Sequence, residues 1–439
     1  MRFFDRTEEI ASLKEIQELS KNNAQFTVIT GRRRIGKTHL VWKAYEDQQI
    51  LYFFVARKAE SDLCSDYLLE IETKLGIPTM GKVERFPEIF EYLMKLSIER
   101  PITLFIDEFQ EFFKVNKSVY SDMQRIWDKY HTMAHINLIV CGSIYSMMTK
   151  IFKDKKEPLY NRQTRFMSIK PFTPAVLKEI MAEYNPDYTP EDLLALYSFT
   201  GGVAKYVQLL IDAGATTKTK MLNQIIKSDS IFLGEGKAIL IEEFGKDYGI
   251  YFSILSAIAR GKTTRSEIEN IIGKEIGGYL TKLENEYELI SKKQPIFEKS
   301  STKNVRYTIE DNFFTFWFRF IYKYNYMLEI ENYDALKTII NRDYETFSGL
   351  MLERYFKRVL IESEKYTRIG SWWDRKGENE IDIVAENELD QHALFIEVKR
   401  KIENYDPELL NGKIAAFTRA TGEFKNYTVT QKGVSLEDI

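Results

Sequence analysis

Cysteine, histidine, long apolar runs and an excess of one charge sign are all scarce in this 439-residue sequence, and each scarcity excludes something. The two cysteines, Cys64 and Cys141, stand far apart, each within an apolar run, which argues against a disulfide framework and for reduced core thiols. The four histidines, His39, His131, His135 and His392, form no metal-ligand spacing with cysteine. His131 and His135 are one helical turn apart but lack the intervening glutamate of an HExxH pattern, so a zinc site is not expected. There is no GxSxG nucleophile elbow and no internal repeat. No uninterrupted apolar stretch approaches the roughly 18 to 20 residues a bilayer requires, so no membrane partner is expected. The opening MRFFDRTEEI carries acids and no apolar core of a signal peptide, and the expected location is the cytoplasm. With 62 Lys+Arg against 65 Asp+Glu the net charge is -3, so any nucleic-acid contact must come from a local patch.

What is present is enough chain for about three domains at roughly 150 residues each. The strongest local signal is FTVIT followed by GRRRIGKT and HLVWKAY, which reads as strand, loop, helix. Gly31 and Gly36 let the backbone wrap a phosphate chain, Lys37 can neutralise its β/γ charge, and Thr38 can offer a hydroxyl to Mg²⁺. The expected ligand is a nucleoside triphosphate, ATP. Arg32, Arg33 and Arg34 sit inside the loop with roles left open among nucleotide, partner subunit and solvent.

A second apolar run, ITLFIDEFQEF, ends in Asp107 and Glu108 and resembles a Walker B element. Asp107 is expected to hold the Mg²⁺ shell and Glu108 to polarise the attacking water, so the pair implies hydrolysis. LYFFVAR, residues 51–57, reads as a further strand inserted between the phosphate-loop strand and the acidic strand, the additional-strand, catalytic-glutamate (ASCE) arrangement of AAA-like ATPases. INLIVCGS leads to Ser143, a candidate sensor of the γ-phosphate. PLYNRQTRFMSIKPF carries Arg162 and Arg165, either of which can act as an arginine finger, with Arg162 preferred.

FFDRTEEIASL, GRRRIGKTHLV, FIDEFQEF, GSIYSMM and PLYNRQT together resemble successive signature segments of the archaeal-type ATPase family, which also has bacterial members. The resemblance runs in order over almost the whole chain. It implies that Phe4 and Arg6, on an N-terminal box, lie near the adenine. It also implies that TGGVAKYV is the lid motif, in which a proline usually follows GGx; here that position is Ala204, and lid closure on the nucleotide is correspondingly less secure. Around it, VLKEIMAEY and DLLALYSF show the three-to-four spacing of amphipathic helices.

Residues 250–310 read as three helices and a β-hairpin, a winged helix, with Thr264 or Ser266 capping the second helix. Glu284, Glu286 and Glu288 offset Lys282 on the third, whereas Lys292, Lys293, Lys299, Lys303 and Arg306 can give the wing a phosphate-facing surface; DNA contact and a mere spacer role both stay open. DNFFTFWFRFIYKYNYM is intensely aromatic but interrupted by Arg319 and Lys323, and it suits a buried helix better than a base-stacking platform or membrane anchor.

The last third carries a helix with Glu353, a strand with Asp382 and a strand with Glu397 followed by Lys399. Period-two alternation turns Glu397 and Lys399 to one face. If Asp382 joins them, two carboxylates hold Mg²⁺ and Lys399 assists the attacking water, the PD-(D/E)xK nuclease pattern. Glu380 is either a further acid or a solvated one. The expected fold class is therefore α/β: an ASCE/AAA-like parallel P-loop core (1–172), a helical lid (173–240), a winged helix (241–312) and a restriction-endonuclease-like α/β domain (313–439). The expected function is ATP hydrolysis coupled to a Mg²⁺-dependent nuclease acting on DNA. The alternative is a nucleotide-operated switch, with a homo-oligomer among its partners, whose last domains bind protein or DNA without cleavage.

Overall fold

The structure, a computed structural model, describes residues 1–78, 81–299 and 301–439. The chain forms two compact units, one of Asp5–Lys170 and one of Met1–Phe4 with Pro171–Ile439.

The unit of residues 5–170 is built on a five-stranded, wholly parallel sheet: β1 (Gln25–Thr30), β2 (Leu51–Phe54), β3 (Ile102–Asp107), β4 (Ile136–Cys141) and β5 (Arg165–Ser168), in the order β2-β3-β4-β1-β5. Every residue of β1, β3 and β4 is buried, as expected of apolar strands covered on both faces by helices. The core is largely aromatic: Phe26 meets Trp127 at 5.2 Å and Phe152 edge-on at 5.6 Å, and Phe53 stacks on Tyr67 at 4.2 Å. Cys64 and Cys141 are buried free thiols. Because all five strands run the same way, the loops after β1, β3 and β4 gather at one edge of the sheet, where open α/β sheets place their ligands.

This order corrects one expectation. The strand lying between the phosphate-loop strand and the acidic strand is β4, not β2, which sits outside β3 at the sheet's edge. β2 has four residues and leaves Phe54 49% exposed, as suits an edge strand.

In the other unit, helices Pro174–Tyr184, Pro190–Thr200, Ala204–Asp212, Lys218–Ile225 and Ile231–Phe244 come first. Three further helices, Tyr248–Ala259, Arg265–Ile272 and Gly277–Asn285, lead to the antiparallel pair β6 (Ile290–Lys293) and β7 (Arg306–Ile309). Thr264 caps the middle helix reciprocally with Glu267. The aromatic segment splits into a short helix, Asn312–Phe316, and a π-helical stretch, Trp317–Tyr322, whose Phe316, Trp317, Phe318 and Phe320 are buried. Gly236 has no side chain because Trp317 lies there: a Cβ would meet the indole at 2.4 Å.

The chain ends in the long helix Tyr333–Glu362 and the strands β8 (Arg368–Trp373), β9 (Glu380–Asn387), β10 (His392–Val398) and β11 (Thr428–Val434), with helix Pro407–Thr421 crossing from β10 to the parallel β11. The loop between β6 and β7 docks on this sheet. Ile296 N–H donates to Ser371 O at 2.9 Å and its side chain joins the core beside Trp372, while Phe297 meets Phe424 edge-on at 5.2 Å. Arg306 stacks over Trp373 and pairs with Glu380 at 2.7 Å, and Lys293 pairs with Glu310. Two of the five cations expected on the wing, Lys293 and Arg306, thus have acidic partners within the fold.

Candidate functional site

Strand β1 delivers the chain into a loop that only glycine could trace at its two ends. Gly31 has φ +142°, and a Cβ there would meet Ile169 O at 2.7 Å; Gly36, at φ +95°, precedes helix Lys37–Ala44. Lys37 is 6% exposed and its ammonium donates to Gly31 O (2.8 Å) and Arg32 O (2.9 Å), so its charge rests on the loop itself. The Thr38 hydroxyl donates across the sheet to Asp107 Oδ2 at 2.8 Å.

Asp107 closes β3 and is buried. Its Oδ2 also accepts from the Tyr52 hydroxyl at 3.3 Å, and its Oδ1 from Glu108 N–H at 2.9 Å. Burial pushes the Asp107 carboxyl up, opposed by the Thr38 hydrogen bond. No ammonium is bonded to it among the described residues. A buried carboxylate and a hydroxyl, both oxygen donors, suit a hard divalent cation that keeps several waters, so this pair fits Mg²⁺.

Glu108 has φ 54°, a left-handed turn that tips its side chain off the strand end. Its Oε2 accepts from Ser143 Oγ at 2.7 Å and from Gln110 Nε2 at 2.5 Å. Ser143 follows β4, the strand between β1 and β3, which carries it to the carboxylate. Tyr52 and Gln110 were not singled out by sequence reasoning. The signal for Tyr52 was its period-two register with Phe54, which pairs with Asp107; that for Gln110 was a buried-type amide two residues after Glu108.

Arg162 is corrected as a finger for its own chain's loop. Its guanidinium pairs with Asp128 through two bonds, of 3.1 and 3.0 Å. It precedes Arg165, which pairs with Thr27, so it lies toward the N-terminal ends of the strands, opposite the phosphate loop. Arg165 bonds Ser12 and Glu15. Phe4 and Arg6 fall in different units. Phe4 lies 6.1 Å from Tyr184 under the Arg2 guanidinium, whereas Arg6 donates to Lys170 O at 2.6 Å and to Glu9.

In the other unit Asp382 Oδ2 accepts from Val398 N–H at 2.7 Å. Glu397, 4% exposed, accepts from two ammonium groups: Lys399 on Oε1 at 2.7 Å, and Lys413 on Oε1 and Oε2 at 2.8 and 3.0 Å. Burial pushes the carboxyls of Glu353 and Asp382 up, with repulsion from Asp382 and Glu380 adding to the first and from Glu397 to the second. Lys413, from helix Pro407–Thr421, escaped the sequence reading. Among the described residues no group of three or more His, Cys, Asp or Glu is placed to hold a metal ion. Both oxygens of Glu397 are thus paired with lysine, whereas among the described residues Asp382 is held by a backbone N–H alone.

No helix among the described residues is long and apolar enough to cross a membrane. Residues 3–210 match a family described as an ATPase domain predominantly from Archaea, and residues 317–408 one described as archaeal and bacterial proteins of unknown function. An uncharacterized protein of Methanocaldococcus jannaschii is 34% identical over 413 residues, covering 91% of this chain and 88% of that protein. Among solved structures, a Walker-type ATPase of Pyrococcus abyssi superposes with TM-score 0.54 at 21% identity, over 72% of this chain and 96% of that one. An ORC2 protein of Aeropyrum pernix, solved as ADPNP-ADP complexes, gives 0.49 at 15% identity, over 76% and 94%. The likeness to the Pyrococcus protein fits the P-loop α/β fold described above, and the match along nearly the whole Methanocaldococcus protein makes the chain a member of this predominantly archaeal ATPase family.

Proposed function

We propose that the unit of residues 5–170 hydrolyses ATP with Mg²⁺, and that the rest of the chain is a nucleotide-operated switch whose last domains bind without cleaving. The observation that carries the first part is the convergence of Thr38 on Asp107 and of Ser143 on Glu108 at one edge of the sheet. Loop N–H groups between Gly31 and Gly36 hold the β- and γ-phosphates, and Lys37 turns from the loop carbonyls to their charge. Thr38 and Asp107 hold Mg²⁺, which supplies charge neutralisation on the phosphates. Glu108 accepts the proton of a water that attacks the γ-phosphorus; the bond from that phosphorus to the bridging oxygen breaks, and ADP and phosphate leave. Ser143 orients Glu108 against the γ-phosphate. Glu108→Gln should lower turnover by about 10²- to 10⁴-fold while ATP is still bound, as read by phosphate release beside nucleotide binding; full turnover by that variant would remove the assignment.

The three helices with β6 and β7 suit a winged helix, and the order helix, three strands, helix, strand suits a restriction-endonuclease-like domain. That order, with Lys399 in reach of Glu397, also favours a second reading, DNA cleavage. The two ammonium groups on Glu397 favour the first. Cleavage of linear, circular and single-stranded DNA with Mg²⁺ or Mn²⁺, with and without ATP, separates them. Products lost in Asp382→Ala and Lys399→Ala would establish the nuclease; none, with ATPase intact, would leave the switch. DNA as a partner and assembly into a homo-oligomer belong to the same proposal, tested by salt-dependent DNA affinity and by mass in solution with ATP.

A further inference from the structure

Ser143 donates to Glu108 Oε2, and a second donor holds the same oxygen. Gln110 is 1% exposed, and its Nε2 donates to Glu108 Oε2 at 2.5 Å. Its other end, Oε1, has no hydrogen-bond partner among the described residues. That oxygen lies over the backbone of Gly142, where a Cβ would come within 2.3 Å of it. A buried amide leaves its oxygen unbonded at a cost, and reversing the amide would set that oxygen against a carboxylate. The donor end therefore has one orientation, toward Glu108. The turn that carries it, Phe109–Glu111, is braced from below: the buried Tyr120 hydroxyl lies 3.3 Å from the carbonyls of Phe109 and Gln110.

We infer that Gln110 is a positioning residue for ATP hydrolysis: with Ser143 it fixes the Glu108 carboxylate by one oxygen, so that the other, Oε1, faces the attacking water. Gly142 leaves room for this arrangement, since a Cβ there would meet the amide oxygen at 2.3 Å and Met148 Sδ at 2.4 Å. Both donors end on Oε2 and, among the described residues, none is placed on Oε1. Two donors from two different loops define the carboxylate plane, which one donor could not. Neither Gln110 nor Gly142 is asked to touch nucleotide, so the effect belongs in turnover and not in affinity.

The inference rests on Glu108 as the base, and the experiment separates the two. Steady-state ATPase is measured on the full chain for Gln110→Met, Gln110→Ala, Gly142→Ala and Glu108→Gln, with ATP affinity measured directly. Gln110→Met keeps the bulk and removes the donor without setting a charge beside Glu108, so a packing role would leave its kcat alone. The expected result is a kcat about 10- to 100-fold lower for Gln110→Met and Gly142→Ala, with KM and ATP affinity unchanged, the scale of a misplaced catalytic group. Wild-type kcat in any folded Gln110 variant would overturn the inference while an inactive Glu108→Gln leaves the base assignment standing. An active Glu108→Gln would overturn both. If Gln110→Met does not fold, Gln110→Ala decides, because Gly142→Ala crowds Met148 Sδ at 2.4 Å as well as the amide oxygen at 2.3 Å. Loss of affinity in step with kcat would also overturn it.

Discussion

The molecule carries two carboxylate centres at strand ends, and they differ in what neutralises them. At Asp107 and Glu108 the donors within the fold are hydroxyls, an amide and a backbone N–H, and the nearby ammonium of Lys37 rests on carbonyl oxygens. At Glu397 two ammonium groups lie directly on the carboxylate. A carboxylate held by neutral donors keeps its charge available to a cation, whereas one already paired with two lysines gains less from a metal than it would lose. Carboxylate and lysine in the right sequence order thus do not distinguish a metal site from a buried ion cluster; the bonding of the lysine does.

The largest effect expected from this comparison is at the first centre. Lys37→Ala should lower ATP turnover by about 10²- to 10³-fold, the scale of losing one electrostatic contact to developing charge. It also takes the donor from the Gly31 and Arg32 carbonyls, which should cost about 1 to 3 kcal/mol of stability without unfolding the protein. A variant that unfolds instead would mean that Lys37, like Lys413, is chiefly structural, and the contrast between the centres would fail. Thermal unfolding beside phosphate release reads both.

Next comes what holds the second centre in place. Ile296, from the β6–β7 loop, is 7% exposed among the residues of the C-terminal sheet's core, and Ile296→Ala should cost about 2 to 4 kcal/mol. Denaturant unfolding measures it. A cost near zero would mean that the loop is not docked, returning Lys293 and Arg306 to a surface role.

Lys413→Met sharpens the comparison most directly, with a smaller effect. It keeps the aliphatic stem and leaves the buried Glu397 with Lys399 alone, which should cost about 1 to 3 kcal/mol. Millimolar Mg²⁺ should not restore the loss. Restoration by Mg²⁺ in the variant, and not in the native protein, would show that lysine and metal compete for one place.

The sequence made the first centre legible because its parts are contiguous: strand, glycine-bounded loop and helix follow one another, and Asp107 and Glu108 end an unmistakable apolar run. The order of strands was less so, since LYFF reads as apolar as the central strands and nothing local marks it as an edge. The pairing of Arg162 was not legible because its partner, Asp128, lies on a helix 34 residues earlier. At the second centre Glu353, Asp382 and Lys399 were visible, but the lysine that changes their meaning, Lys413, is sixteen residues past Glu397 on the crossover helix. The docked hairpin was hidden behind its lysines, although Ile296 and Phe297 were an apolar pair that a solvated loop has no reason to carry.

The smallest effect concerns the turn that leads into helix Ala204–Asp212. Ala204 is the first residue of helix Ala204–Asp212, and Val203 before it has φ -68° and ψ 118°, the extended conformation that proline imposes on its predecessor. At a first helical position the N–H has no partner within the helix, so proline there removes nothing. Gly201 and Gly202 already take the left-handed turn ahead of it, with Gly202 against Phe172 O where a Cβ would come within 2.3 Å. The backbone is therefore shaped for proline without having one. Ala204→Pro should stabilise the protein by about 0.4 to 1 kcal/mol, by restricting the unfolded chain, and leave ATP turnover as it is. A destabilised variant would mean that this turn is held differently from its dihedral angles; a stabilised variant with altered turnover would tie the helical region to nucleotide chemistry through its rigidity and not through any group it contributes.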